Sequence, residues 1–171
     1  MKIILLGYMA SGKSTIGKQL SKKLDINFLD LDDYICKKEN STIEHIFKTK
    51  GEIYFRKIEH QYLKEVLAKK DDFVLSLGGG TPCYANNMSV IKNADATSIY
   101  IQVSVSNLVA RLLNEKAKRP LVASLNDDLL TEFVAKHLFE RRFYYEQATK
   151  TIQSDAKKVF ELVAEIEKML H

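Results

Sequence analysis

The chain has 171 residues, 46% of them hydrophobic and 28% charged, which suits one ordinary globular domain with its own core. Its formal net charge of +4 comes from 26 basic and 22 acidic residues scattered along the chain, so the basic, aromatic-laced stripe of a nucleic-acid binder is missing and an anionic small molecule suits the charge at least as well. No apolar run approaches a membrane span, and two cysteines and four histidines without metal or triad spacing make neither a disulfide framework nor a metal cluster, so a reducing cytoplasm is the expected address.

The first predicted strand is Ile3 to Leu6; the opening MKIILL is too short for a signal peptide's apolar core. Directly behind it stands GYMASGKST, Gly7 to Thr15, with the spacing G-x-x-x-x-G-K-[ST] of a phosphate-binding loop. In such a loop Gly7 and Gly12 let backbone N–H groups turn inward, Lys13 reaches the β and γ phosphates, and the Ser14 hydroxyl ligates Mg²⁺. Ile16, Leu20 and Leu24 then recur every four residues, so a helix follows whose positive N-terminal end adds to the anion site. A second strand, Asn27 to Asp30, runs into DLDD. If the chain stays extended there, Asp30 and Asp32 share a face, one carboxylate for the metal and one to take a proton from an attacking hydroxyl; alternatively Asp32 and Asp33 only cap a helix beginning at Tyr34.

Ser41-Thr42-Ile43-Glu44 reads as a capping box for a short helix to about Lys50, Gly51 breaks it, and a helical pattern resumes from Ile53 to Lys69. On it Arg56 and Glu59 sit at i, i+3, either a routine surface pair or a carboxylate orienting an arginine for a bidentate grip on an acid. The third strand, Phe73 to Leu77, ends in GGGTP, where Gly78, Gly79 and Gly80 serve close backbone approach or form a mobile loop. Cys83 just beyond reads as a plain buried thiol. A fourth strand, Thr97 to Val103, leads to a helix from Asn107 to Leu113 that Ser106 is placed to cap and that carries Arg111. The polar segment 114–127 has the length and composition of a lid, with Arg119 positioned to swing onto phosphates. Asp127 or Asp128 opens a helix through Phe139 and beyond, which reaches Arg141 and Arg142; a weak strand, Thr151 to Gln153, and a last helix capped by Ser154 or Asp155 complete the chain.

Strands alternating with helices predict a mostly parallel sheet covered by helices on both faces, with ligands bound beyond the carboxyl ends of the strands. The segments behind the strands are therefore where function should lie.

GYMASGKST, FLDLDDYI, IFKTKGEIYFRKIE, LSLGGGTP, KRPL and the R-x-x-x-Y-E-x-A ending at Arg141 to Ala148, in this order and over nearly the whole chain, resemble the shikimate kinase family. The resemblance implies ATP-dependent phosphorylation of the 3-hydroxyl of shikimate, on the route to chorismate and the aromatic amino acids. It implies a three-layer α/β/α fold of phosphate-loop kinase type, a five-stranded parallel sheet in the order 2-3-1-4-5. Within one domain the core would be 1–30, 73–113 and 150–171, the substrate-binding region about 31–68 and the lid about 114–127. Gly7, Ala10, Ser11, Gly12, Lys13, Ser14 and Thr15 would bind ATP together with Arg111, near the adenine, and Arg119, the lid arginine that stabilises transferred charge. Ser14 would hold Mg²⁺, with Asp30 in its outer shell. Asp32 would contact the substrate hydroxyls as the candidate base, and Lys13 and Arg119 would complete the catalytic set. Arg56 and Arg141 would grip the carboxylate, Glu59 would steady Arg56, Gly78 to Gly80 would line the pocket, and Phe47 and Phe55 would form its apolar wall. Where the family usually has R-x-P-L-Y, this chain reads Arg141-Arg142-Phe143-Tyr144-Tyr145, and the spacing to Tyr145 favours Arg141.

Two other readings stand beside this one. A gluconate or nucleoside-monophosphate kinase would share the phosphate loop but not DLDD, FRKIE and GGG together. A non-catalytic nucleotide switch of the guanine type would carry N-K-x-D, which this chain lacks. The expected partners are shikimate and ATP, with no nucleic acid and no membrane, and the expected state is a monomer.

Overall fold

A computed structural model describes residues 1–115 and 120–171. Five strands, β1 (Lys2–Leu6), β2 (Asn27–Asp30), β3 (Phe73–Ser76), β4 (Thr97–Gln102) and β5 (Lys150–Gln153), form one sheet in the order β2-β3-β1-β4-β5, every pairing parallel. The helices are α1 (Lys13–Leu24), α2 (Leu31–Glu39), α3 (Ile43–Leu67), α4 (Asn87–Asn93), α5 (Val105–Glu115), α6 (Pro120–Ala123), α7 (Asp127–Tyr145) and α8 (Val159–Leu170), with a 3₁₀ turn at Thr81–Cys83. Ile3, Ile4, Leu5 and Leu6 are all fully buried, and successive strand side chains point to opposite faces, so the middle of the sheet is covered on both sides. This is why the strand reads as an unbroken apolar run. Helix α1 packs beside α8, α2 beside α3 and α5 beside α7.

Boundaries follow local chemistry, with some shifts from the sequence reading. Gly51 adopts φ 84° and ψ 172° inside α3, so the predicted break is a kink between two helical stretches rather than a gap. Thr42, not Ser41, caps that helix, its hydroxyl accepting from the His45 N–H at 3.1 Å. Ser104, not Ser106, caps α5, because its Oγ accepts from the Asn107 N–H at 3.3 Å. Asn126 rather than either aspartate caps α7. Asp155 does not cap α8; it reaches across to the Ser104 N–H and the Asn107 amide and so ties the loop after β5 to the start of α5. Helix α8 begins at Val159, where Glu161 accepts the Lys158 N–H. These shifts of one to four residues leave the five strands and the long helices in the predicted order, whereas the short helices α4 and α6 and the 3₁₀ turn were not foreseen, and α2 starts at Leu31 rather than Tyr34.

Among the described residues no helix is long and apolar enough to cross a membrane.

Candidate active site

The carboxyl ends of β1, β2 and β3 open onto a cleft of about 320 Å³ lined by Lys13, Ser14, Asp30, Asp32, Ser76 and Gly78 among others. The loop leaving β1 forms its floor. Gly7 there has φ +148°, and a Cβ on it would stand 2.8 Å from the Ile101 carbonyl of β4, so only glycine lets the loop lie this close to the sheet. Gly12, at φ +91°, turns the chain into α1. Lys13 is buried, not exposed on the loop: its Nζ donates to the carbonyls of Gly7 (2.8 Å) and Tyr8 (2.9 Å) and to Ser11 Oγ (3.2 Å). The charge is held at the anion site by the loop's own backbone.

The pair Asp30 and Asp32 come together for a reason other than the one the spacing suggests. Strand β2 ends at Asp30 and α2 starts at once, so Asp32 lies in a helical first turn, not in an extended segment. Asp30 is the cap of α2: its Oδ1 accepts the N–H of Asp32 at 3.0 Å and of Asp33 at 3.4 Å. Its Oδ2 accepts the Ser14 hydroxyl at 2.9 Å, and Ser76 Oγ at the end of β3 lies 3.3 Å from the same hydroxyl. Three hard oxygens, from the start of α1 and from the ends of β2 and β3, thus meet at the phosphate loop, a donor set that suits Mg²⁺. No larger group of acidic, histidine or cysteine ligands is present among the described residues. Asp33 is exposed and is not among the residues that line the cleft.

Burial, then the neighbouring charges of Asp30 and Glu59, push the Asp32 carboxyl up to about 6 against the opposing pull of Lys13 and Arg56. A carboxylate so placed is ionised at neutral pH yet more basic than usual, as proton acceptance requires.

The third group forms around the glycine loop. Arg56 Nη1 donates to Glu59 Oε1 at 2.8 Å, and Glu59 is 1% exposed, so this is a buried pair and not a surface one. Glu59 Oε2 accepts the Thr81 hydroxyl at 2.8 Å, and the Arg56 guanidinium stacks on the Tyr84 ring, 3.8 Å from its centroid. Added Cβ atoms would meet Asp32 Oδ1 at 3.2 Å from Gly78, Arg141 Nη1 at 3.2 Å from Gly79, and both Arg56 Nη2 (2.8 Å) and Arg141 Nη2 (3.3 Å) from Gly80. The loop is therefore a packed seat for one acid and two arginines, not a mobile turn. Arg141 faces inward beside Tyr8, whereas Arg142 is exposed and paired with Glu146 one turn on. Tyr145 donates to the Gly79 carbonyl at 2.6 Å, which fixes the C-terminal end of α7 to the same loop.

Arg111 donates to the Ala10 carbonyl at 3.1 Å and so reaches the phosphate loop from α5. Phe47 and Phe55 stack on each other with centroids 4.5 Å apart, next to Arg56 rather than in the lining of the phosphate cleft. Arg119 lies outside the described residues. Within the 114–127 segment, Val122 of α6 is buried in the core. Burial pushes the Cys83 thiol up to about 11, in keeping with an inert side chain. The sequence reading missed Ser76, Tyr84 and Tyr8. Ser76 stands at a strand's carboxyl end, two residues before the glycines, a signal that was available; the two tyrosines carry none.

A buried lysine in a glycine loop at the head of a parallel β2-β3-β1-β4-β5 sheet, facing a metal-type oxygen cluster and an acceptor carboxylate, defines a phosphate-loop kinase. A family model described as shikimate kinase matches residues 9–171. The chain belongs to the shikimate kinase family. It is 52% identical over 169 residues to a shikimate kinase of Flavobacterium psychrophilum, covering 99% of this chain and 98% of that one, and 47% identical to one of Flavobacterium johnsoniae, covering 96% of each. Among solved structures it superimposes on shikimate kinase from Bacteroides thetaiotaomicron with a TM-score of 0.92 at 32% identity (99% and 98% covered). The Acinetobacter baumannii enzyme in complex with shikimate gives 0.84 at 31% identity (99% and 92% covered).

Proposed function

We propose that the cleft transfers the γ-phosphoryl group of ATP to the 3-hydroxyl of shikimate, with the residues around it in the roles below. The enzyme is a kinase that works in the biosynthesis of aromatic amino acids. The observation that carries the assignment of roles is the convergence of Arg56 and Arg141 on Gly80, two residues from the Gly78 that seats Asp32. A small acid with hydroxyls needs that combination: two guanidinium forks for the carboxylate and an acceptor for the reacting hydroxyl a ring's width away. Nucleoside monophosphates would leave the acceptor unused, and a non-catalytic switch would have no use for the arginines.

In this reading Lys13 turns from the Gly7 and Tyr8 carbonyls to the β and γ oxygens of ATP and stays with the transferred group. Ser14, Asp30 and Ser76 would hold Mg²⁺, which when bound neutralises charge on the phosphates. Arg56, steadied by Glu59 and Tyr84, and Arg141 orient the ring so that the 3-hydroxyl faces the γ-phosphorus. Asp32 accepts the hydroxyl proton as the new O–P bond forms and the bond to ADP breaks. The transition state of phosphoryl transfer is loose, so positioning by Asp32 counts as well as its basicity. Arg111 contributes to the nucleotide side, Phe47 and Phe55 to the apolar wall, and 114–127 with Arg119 to a lid that excludes water. The region 31–68 is the substrate-binding part, and the reading includes a monomer in a reducing cytoplasm, for which the two free cysteines are suited.

A coupled assay of ADP release over a panel of shikimate, gluconate and nucleoside monophosphates tests the substrate. Turnover with shikimate exceeding the others by several orders of magnitude is expected; preference for any other member would overturn the assignment.

A further inference from the structure

Helix α7 presents His137, Arg141 and Tyr145 at intervals of four, on one face. The two outer residues grip different ligand loops. Tyr145 holds the glycine loop through the Gly79 carbonyl, and His137 Nδ1 lies 3.0 Å from the hydroxyl of Tyr8, the second residue of the phosphate loop, with the two rings edge to face at 5.5 Å. Tyr8 is 1% exposed. Its backbone carbonyl accepts from Lys13, and its ring lies 5.9 Å from the Arg141 guanidinium. His137 is itself braced by Phe133 at 5.1 Å.

Tyr8 is thus held at both ends by groups with different allegiances. When a nucleotide draws Lys13 onto its phosphates, the bond that restrains the Tyr8 carbonyl is released or lengthened. The side chain's far end stays attached to α7 through His137. Any displacement of the loop therefore passes to α7 one turn before Arg141. Buried aromatic rings transmit such a shift because packed interiors have no slack to absorb it.

We propose that Tyr8 and His137 are positioning residues that link occupancy of the phosphate loop to the grip of Arg141 on the substrate carboxylate. The inference rests on Arg141 holding that carboxylate. The link makes the two substrates favour each other's binding, and reciprocity requires the same factor in both directions.

Calorimetric titration of shikimate with and without ADP and Mg²⁺ tests it. In the unaltered protein ADP is expected to tighten shikimate binding about fivefold or more. His137→Leu and Tyr8→Phe, each of which removes the hydrogen bond, should bring that ratio close to one, with affinity for ADP alone changed less than twofold. His137→Asn, whose amide stands where Nδ1 does, should restore it. Tyr8→Phe is nearly isosteric and serves even if His137→Leu folds poorly. A ratio retained in Tyr8→Phe, or a ratio of one in the unaltered protein, overturns the link alone. Failure of the unaltered protein to bind shikimate in either state overturns the substrate reading beneath it.

Discussion

Asp32 owes its chemistry to its surroundings, not to its place in DLDD. Burial and the charges of Asp30 and Glu59 raise its pKa from the ordinary 3.8 to about 6, so the basic form is lost as pH falls through that value. We expect kcat/KM to decline about tenfold per pH unit below 6, and Asp32→Asn to reduce kcat at least about a hundredfold while leaving ATP binding nearly unchanged. Asp33→Asn should cost little, since Asp33 is exposed; a pH–rate series on the three proteins checks both statements. The same shift has a sign for stability. A carboxyl whose folded pKa exceeds its unfolded value weakens the fold where it is ionised, fully above about 6 and not at all well below 4. Asp32→Asn should therefore raise the unfolding free energy by about 2 kcal/mol at pH 8 and leave it unchanged at pH 3, a difference that denaturant titration reads. Activity and stability oppose each other at this residue.

The glycine loop and the kinked α3 work as one element. Glu59 is almost fully buried and joins Arg56 to Thr81, so the arginine is seated by the glycine loop that we propose the substrate meets. A methyl group at Gly80 would stand 2.8 Å from Arg56 Nη2, and the guanidinium is already held by Glu59 and Tyr84. Gly80→Ala should displace the fork and raise the shikimate KM about tenfold or more, with the KM for ATP little altered. Arg56→Ala should go further, on the order of 2–4 kcal/mol in shikimate affinity, because it would remove the proposed bidentate contact and leave Glu59 buried without its cationic partner. Steady-state kinetics with each substrate varied in turn separate the two. Equal changes in both KM values would show that the loop supports the whole cleft rather than the acid's seat.

At the scale of the molecule, the three strand ends that form the cleft belong to one sheet, whereas the described part of the proposed lid, 114–127, comprises the end of α5, the short helix α6 and the start of α7. Both helices that flank it touch the site, α5 through Arg111 and α7 through Arg141. Closure over bound ligands would exclude water from the transfer and bring Arg119 toward the phosphates. Hydrogen exchange should accordingly slow across 114–127 when ADP and shikimate are both bound, relative to the free protein. Unchanged exchange would remove the segment from the reaction.

The five strands and the long helices were legible in the chain because β1, β3 and β4 are apolar runs between helical patterns, and such periodicity is local; the edge strands β2 and β5 are short and mixed, and the short helices α4 and α6 carry no such pattern. The phosphate loop was legible for a similar reason: Gly7, Gly12, Lys13 and Ser14 act through backbone geometry within nine residues. The family was legible from motifs whose spacing is preserved along the chain, and with it the roles of Arg56, Glu59 and Arg141 as expectations. What the tertiary structure alone decided lies between distant segments. The nearness of Asp30 and Asp32 comes from a helix start, not from strand alternation, since Asp30 ends β2 and caps α2, so the strand stops two residues short of Asp32. The burial of Glu59 and Lys13, the inward turn of Arg141 against the outward turn of Arg142, and the seating of both arginines on Gly80 depend on contacts between distant segments, such as Tyr145 to Gly79 and Arg141 to Tyr8. Periodicity and propensity carry no information over that range, because burial and pKa are properties of the assembled environment and not of a residue's neighbours in sequence.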